Sequence, residues 1–266
     1  MKRPYWIIAI IMLGFMQFSY AALGDQSYSV KAISMGKAFT AITDGVTGLV
    51  WNPASIAKLE QLEISSSSFD LFGLGLNGTY LAGCGSINRT GFGFAYTKVS
   101  DSVFPYKEST LSMILARAFS KINVGAGLNL YQLESYENGW GLGFSIGFLY
   151  EYNLTKGSLN FGLKADNLFS NISYTTGTTE ELESLPTIGV AYINSQKVLI
   201  AMDVNPEELN LGLRYFLSNN FSCQVGLNNG KTACGFTMSK SGWELDYAYL
   251  THNLGNSNRI SINKRF

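Results

Sequence analysis

The chain reads as an all-β protein, a transmembrane antiparallel β-barrel of about 14 strands with a small N-terminal helical plug. Three features predict this. Only 14% of the 266 residues are charged, well below the ~25% of soluble globular chains. Past the N-terminus no apolar run is long enough for a membrane helix, yet apolar residues recur at every second position. Residues 22 to 61 break that alternation and stand before it as a different kind of segment. The composition also excludes several functions. A formal charge of +0 offers no basic surface for nucleic acid. The one histidine, His252, leaves no material for a Ser/His/Asp triad or a His-rich zinc site, so neither an enzyme nor a metal or other cofactor is expected. His252 itself reads as a polar loop residue near a barrel rim.

In chain order, residues 1–21 read as an export signal. Lys2 and Arg3 form the charged start, an apolar run extends from Tyr5 to Phe18, and the small residues Ser19 and Ala21 suit cleavage. The run falls short of the ~20 residues of a spanning helix. Losing Lys2 and Arg3 leaves the mature chain at a net charge of −2, outside the cytoplasm.

Residues 22–61 form the expected plug. Met35, Ala38, Phe39 and Ile42 recur at helical spacing after a cap at Ser34, with Gly45 as a stop. Asn52 before Pro53 predicts a second short helix, Pro53 to Lys58, because an Asn side chain can accept a free amide and proline suits the first helical position. This segment lies either in the periplasm or in the barrel lumen.

Residues 62–266 form the barrel. Strands are expected over 62–70, 75–85, 91–99, 108–117, 121–133, 139–151, 157–168, 185–193, 197–205, 207–216, 221–228, 231–238, 243–250 and 259–266. Trp140, Leu142, Phe144, Ile146, Phe148 and Tyr150 alternate with Gly141, Gly143, Ser145, Gly147, Leu149 and Glu151, and the segments from Ile122 and Leu159 repeat the pattern. A soluble barrel would fill its interior with large apolar side chains and charge its outside. Here the face opposite the apolar one carries glycine, serine, asparagine and a few charges, which is the membrane arrangement. Connections alternate between short and longer, and an even strand count puts both chain ends in the periplasm. Lys264 falls on the apolar face near the end, where it can snorkel. Gly93, Gly125, Gly127, Gly141, Gly143, Gly147, Gly162, Gly189, Gly212, Gly226 and Gly235 all face inward, which allows strand curvature or close approach of another backbone. They favour the lumen as the home of residues 22–61.

Of three cysteines, Cys223 and Cys234 sit on apolar faces of neighbouring strands and Cys84 is left over. A turn at Asn228 and Asn229 would place Cys223 opposite Cys234, within reach of a bridge. A turn at Asn229 and Gly230 places Cys223 opposite Phe236, and Asn-Gly is the better turn dipeptide.

The run from Ala32 through Met35, Gly36 and Asp44 to Gly45, followed by Trp51, Asn52, Pro53 and Ala54, resembles the N-terminal motif of the PorV/PorQ family, a branch of the FadL-type outer-membrane proteins. The ending is similar too, with Leu245 to Tyr249, Leu254 and Gly255, and Arg259 through Phe266. The resemblance implies a 14-stranded barrel in the bacterial outer membrane, surrounded by its lipids, with an N-terminal hatch, and with Phe266 as the terminus read by the barrel-assembly machinery. It implies one of two roles: a channel for a small hydrophobic compound or fatty acid, or a secretion-system component that carries exported proteins. Transport needs inward apolar residues, for which Leu149, Ile193, Phe216 and Leu250 are the candidates; a protein partner would use the outer loops. Lys164, Asp166, Asp203, Arg214, Glu244, Asp246, Arg259 and Arg265 face inward as a polar network expected to hold the plug.

Overall fold

The computed structural model describes residues 29–194 and 197–266, so the expected signal segment lies outside the described residues. The wall consists of β1 (Glu63–Leu71), β2 (Leu76–Ile87), β3 (Thr90–Asp101), β4 (Lys107–Phe119), β5 (Ile122–Glu134), β6 (Gly139–Leu154) and β7 (Gly157–Tyr174), a short β8 (Thr179–Glu181), then β9 (Thr187–Asn194), β10 (Val198–Val204), β11 (Leu209–Ser218), β12 (Phe221–Asn228), β13 (Lys231–Lys240), β14 (Trp243–Leu250) and β15 (Ser257–Arg265). Fourteen of these close a ring. Each long strand pairs antiparallel with its neighbour in sequence, β7 pairs with β9, and β1 meets β15 along Glu63↔Arg265 to Asp70↔Asn258. Closure is what allows strands to cross lipid, since an open edge would leave amides and carbonyls unpaired where no water can reach them.

The period-two pattern appears directly in the burial. Along β6, Trp140, Phe144 and Ile146 are exposed on the outside, while Gly139, Gly141, Gly143, Ser145, Gly147 and Leu149 are buried. Phe92, Phe94, Met113, Leu115, Ile200, Leu213 and Ile260 add to the same outward apolar band. At the end of the barrel that carries the last residue, Lys264 Nζ lies 5.0 Å from the Trp243 ring centre and 5.8 Å from that of Phe266. It donates to the Ser241 carbonyl at 3.1 Å, so the amine does reach the rim from an apolar face.

Three local expectations are corrected. Met35–Ile42 is not a helix. The helix is Val30–Ser34, one turn earlier, and it ends because Gly36 and Lys37 both adopt left-handed backbone, with φ of 63° and 67°. Such residues reverse the chain after a helix, and the Lys37 amide returns to the Ala32 carbonyl at 2.9 Å. Ser34 is therefore inside the helix, its hydroxyl donating to the Lys31 carbonyl. Gly45 opens a helix, Gly45–Gly48, instead of stopping one. The spacing of Ala38, Phe39 and Ile42 misleads because the segment is buried on every side, so no one face is selected. The expected Pro53 to Lys58 helix is a single 3-10 turn, Pro53–Ile56. Finally, β7 continues to Tyr174 through a stretch read as loop, and β8 folds back on it at Ser173↔Thr179. Opposite Leu142–Ile146, β7 carries two register irregularities, with Asn167 and Phe169 at positive φ.

The β12–β13 hairpin turns at Asn229 and Gly230, both at positive φ, which suits the twist of a two-residue hairpin. Cys223 accordingly faces Phe236, Cys234 faces Val225, and all three cysteines are free. Mass analysis of the folded, unreduced protein should therefore find no Cys223 to Cys234 bridge and three alkylatable thiols after unfolding. Unheated and boiled samples should also migrate differently in a detergent gel, and identical migration would contradict a closed barrel.

Candidate functional site

Residues 29–57 run inside the ring. Val30, Ala32, Ile33, Met35, Ala38, Phe39, Leu49, Asn52, Ala54 and Ile56 are at most 2% exposed. Their contacts explain the small residues of the wall. A Cβ on Gly125 would meet the Pro53 backbone, one on Gly147 the Asn52 side chain, and one on Gly162 the Thr40 backbone. On the opposite wall, side chains at Gly212, Gly226 and Gly235 would meet Met35, Gly36 and Ser34. The segment and the wall thus touch backbone to backbone on two sides.

Asn52 ties the segment to itself and to the wall. Its Oδ1 accepts the Ala54 amide at 3.0 Å, while Nδ2 donates to the Thr40 carbonyl at 2.7 Å and the Phe148 carbonyl of β6 at 3.2 Å. Pro53 opens the 3-10 turn beside Gly125, and buried Trp51 packs 6.5 Å from Phe39. Asp203 on β10 accepts the Phe39 and Thr40 amides with Oδ2, both at 2.8 Å.

Among the described residues the inward charges stand in separate groups, with Asp203 apart from the others on the Phe39 and Thr40 amides. At the end of the barrel where β1 starts and β15 stops, Asp44 accepts Lys31 at 3.0 Å, Arg214 at 3.3 Å and Arg265 at 3.2 Å. Lys31 also meets Glu244 at 2.5 Å, and Arg265 reaches Glu63 at 3.2 Å. Asp246 sits behind this cluster, held by Thr237, Ser261 and Asn263. The second group is Lys164 and Asp166, paired at 2.7 Å in the opposite half of the lumen. Arg259 lies 5.0 Å from the Phe69 ring centre and donates to Ser257. Lys31 and Glu63 are central to the first group but did not stand out in the sequence, since Lys31 lies in a run of small and apolar residues that reads as featureless.

Burial alone would disfavour the charge on Lys31, yet Asp44 and Glu244 outweigh it and hold the ammonium well above its ordinary range. For Asp44, burial pushes the pKa up, while Lys31, Arg214 and Arg265 pull it further down, leaving it below the usual carboxylate range. A carboxyl whose folded pKa is depressed contributes stability that is present above its ordinary pKa and is lost only as pH falls through the lower, folded value.

Above the inner segment a chamber of about 700 Å³ opens toward the longer loops. Its floor is Lys37, Thr40, Val50 and Trp51; Leu71, Phe72, Val99, Leu182, Leu185, Leu250 and Leu254 supply apolar wall. Charge enters from Glu108, Asp166, Glu180, Glu181, Glu183, Asp203, Glu207 and Glu208 against Lys37, Lys164, Lys231 and Arg259. His252 lines the mouth, tilted against Phe72 at 4.6 Å between ring centres, with Nδ1 accepting the Leu254 amide. Of the inward apolar candidates only Leu250 lines the chamber. Leu149, Ile193 and Phe216 pack instead with the inner segment's apolar cluster. Phe266 is exposed at the opposite end, its amide donating to the Leu62 carbonyl.

The closed 14-strand barrel with its N-terminal segment inside is a fold that solved structures share. The chain is similar to the Ralstonia pickettii toluene transporter TbuX, with a TM-score of 0.61 at 12% identity over 92% of this chain and 100% of that one. A Pseudomonas aeruginosa FadL homologue gives 0.60 at 9% identity over 92% and 99%. The Pseudomonas putida toluene transporter TodX gives 0.54 at 10% identity over 92% and 97%. No family model and no curated protein matches the sequence.

Removing Asp44 would leave Lys31, at 1% side-chain exposure, with one fewer counter-charge. Leaving a buried charge wholly uncompensated costs about 3–5 kcal/mol; with Glu244 still at 2.5 Å, Asp44→Ala should cost part of that and speed amide exchange of residues 29–61 with the strands still protected. Asn52→Ala should cost on the order of 1 kcal/mol through the lost cap alone, with a correspondingly smaller rise in exchange. In the wild-type protein the same exchange should stay slow through the ordinary carboxylate range and rise only under stronger acid; release at mildly acidic pH would contradict the depressed Asp44.

Proposed function

We propose that this protein is a FadL-type channel of the bacterial outer membrane that passes small hydrophobic compounds, with residues 22–61 as its hatch. The observation that carries this reading is the chamber, part apolar and open toward the loops, whose floor is the inner segment itself. A ligand resting on Trp51 and Val50 touches the element that blocks its path, so binding and opening are coupled at one surface. The fold's likeness to two toluene transporters supports the same class of cargo. In this reading the Asp44 cluster faces the periplasm and locks the hatch from below, Asn52 and Pro53 set its seat, and the outer-membrane lipids meet the outward apolar band.

A carrier role for exported proteins has one feature in its favour beyond the PorV/PorQ-like motif. The β3–β4 connection presents Val103 and Phe104 at 79% and 65% exposure, fixed by their amides donating to Asp101. Such a rigid apolar tip suits a protein surface, and copurification of an exported protein that is lost in a Val103→Ser, Phe104→Ser variant would favour it.

The channel reading is tested in planar bilayers and in cells. Deleting residues 24–58 should leave a heat-modifiable barrel of raised single-channel conductance, and Asn52→Ala should raise conductance less. Cells expressing the full chain should take up a small hydrophobic compound faster than cells lacking it. Unchanged conductance in the deletion would show that the segment does not occlude the pore.

A further inference from the structure

We infer that one sector of the outer wall, carrying Arg89, Arg117 and Lys121, binds the phosphate headgroup of an anionic phospholipid; this concerns the lipid-facing surface and does not depend on the channel reading. The first observation is where Arg117 stands. It follows Met113 and Leu115 on the outward face of β4, and Val124, its exposed neighbour across on β5, is apolar too. Two residues further on β4 ends at Phe119, so this cation sits at the rim of the apolar band. A charge on a lipid-facing strand is tolerated there, because a long side chain can carry its head to the level of the phosphates.

The second observation is that the guanidinium is held in place but only partly used. Its Nη1 donates to the Asn88 carbonyl at 3.2 Å and to the hydroxyl of Thr90, the residue opposite it on β3. Among the described residues its other N–H groups have no acceptor, and none of Arg89, Arg117 and Lys121 forms an ion pair. A planar guanidinium with donors still open matches the oxygens of a phosphate.

The third observation is the pair of cations beside it, each on a turn tied to the next strand. Asn88 and Arg89 reverse the chain at φ of 50° and 62°, and the Arg89 carbonyl accepts the Ala118 amide at 3.0 Å. The Lys121 carbonyl accepts the Glu151 amide at 3.0 Å, and Lys121 Nζ lies 5.7 Å from the Tyr152 ring centre. Phe119 and Ile122, both exposed, flank the same turn. They offer an acyl chain a surface that a free phosphate would not use, which is why a lipid is the occupant.

The test is native mass spectrometry of the full mature chain with dioleoyl phosphatidylglycerol or dioleoyl phosphatidylcholine. The protein should retain the anionic lipid about tenfold more. An Arg89→Gln, Arg117→Gln, Lys121→Gln variant should lose most of that preference. Lys156→Gln, Lys197→Gln, Lys240→Gln, which removes the same charge from other turns of the same rim, should keep it. Excess inorganic phosphate should not displace the lipid. Equal retention of the two lipids, or equal loss in the two variants, would overturn the site. Displacement by phosphate would reduce it to a simple anion site and overturn the lipid assignment. Tighter binding of a polyglutamate peptide than of the lipid would contradict it as well and point to an acidic protein.

Discussion

The structure depends on the close approach of one backbone to another inside the ring. Residues 29–61 can occupy the lumen only because the wall presents glycine where Pro53, Asn52, Thr40, Met35, Gly36 and Ser34 come nearest. Ordinary side chains at those positions would hold the segment away by several ångströms, and its polar anchors would then fall out of reach. The Phe39 and Thr40 amides meet Asp203 at 2.8 Å, and Asn52 meets the Phe148 carbonyl at 3.2 Å. Each of these bonds spans the gap with a single short side chain, Asp203 or Asn52, which reaches only because the wall is close.

That constraint divides the lumen into unlike halves. Below the segment, charges are buried and mutually satisfied, with Asp44 bound by three cations and Lys31 by two carboxylates. Such a cluster adds specificity of seating more readily than net stability, because desolvation offsets most of the attraction. Arg265 joins it from the last strand and Glu63 from the first, so the cluster spans the β1–β15 seam that closes the ring. Above the segment the space is open, apolar in part and negatively charged. One end of the segment's surface is locked and the other is presented to whatever enters.

Much of the barrel was legible in the sequence because its period is two and its outer face must be apolar throughout. The β12–β13 hairpin was legible to the residue, since Asn229 and Gly230 supply the positive φ values that the turn requires. The inner segment was harder. Buried on every side, it has no amphipathic period, and its true helix boundary is set by the left-handed pair Gly36 and Lys37, of which only the glycine is a local signal. The Thr179–Glu181 strand was missed because β-pairing above the lipid needs no apolar face. In the site, the inward charges were identifiable by parity, but their division into separate groups was not, since strand parity gives the face and not the height. Lys31 and Glu63 complete the lower cluster through contacts hundreds of residues or a full ring closure apart, which a local pattern does not carry.

The central claim is that the inward glycines make room for the inner segment, as opposed to serving strand curvature. Gly125→Val combined with Gly226→Val, made both in the full chain and in the barrel lacking residues 24–58, separates the two in hydrogen exchange by mass spectrometry. Both barrels should form with protected strand amides, while residues 29–61 of the full-length variant exchange freely. Strands that fail to form even without the inner segment, or an inner segment that stays protected, would contradict it.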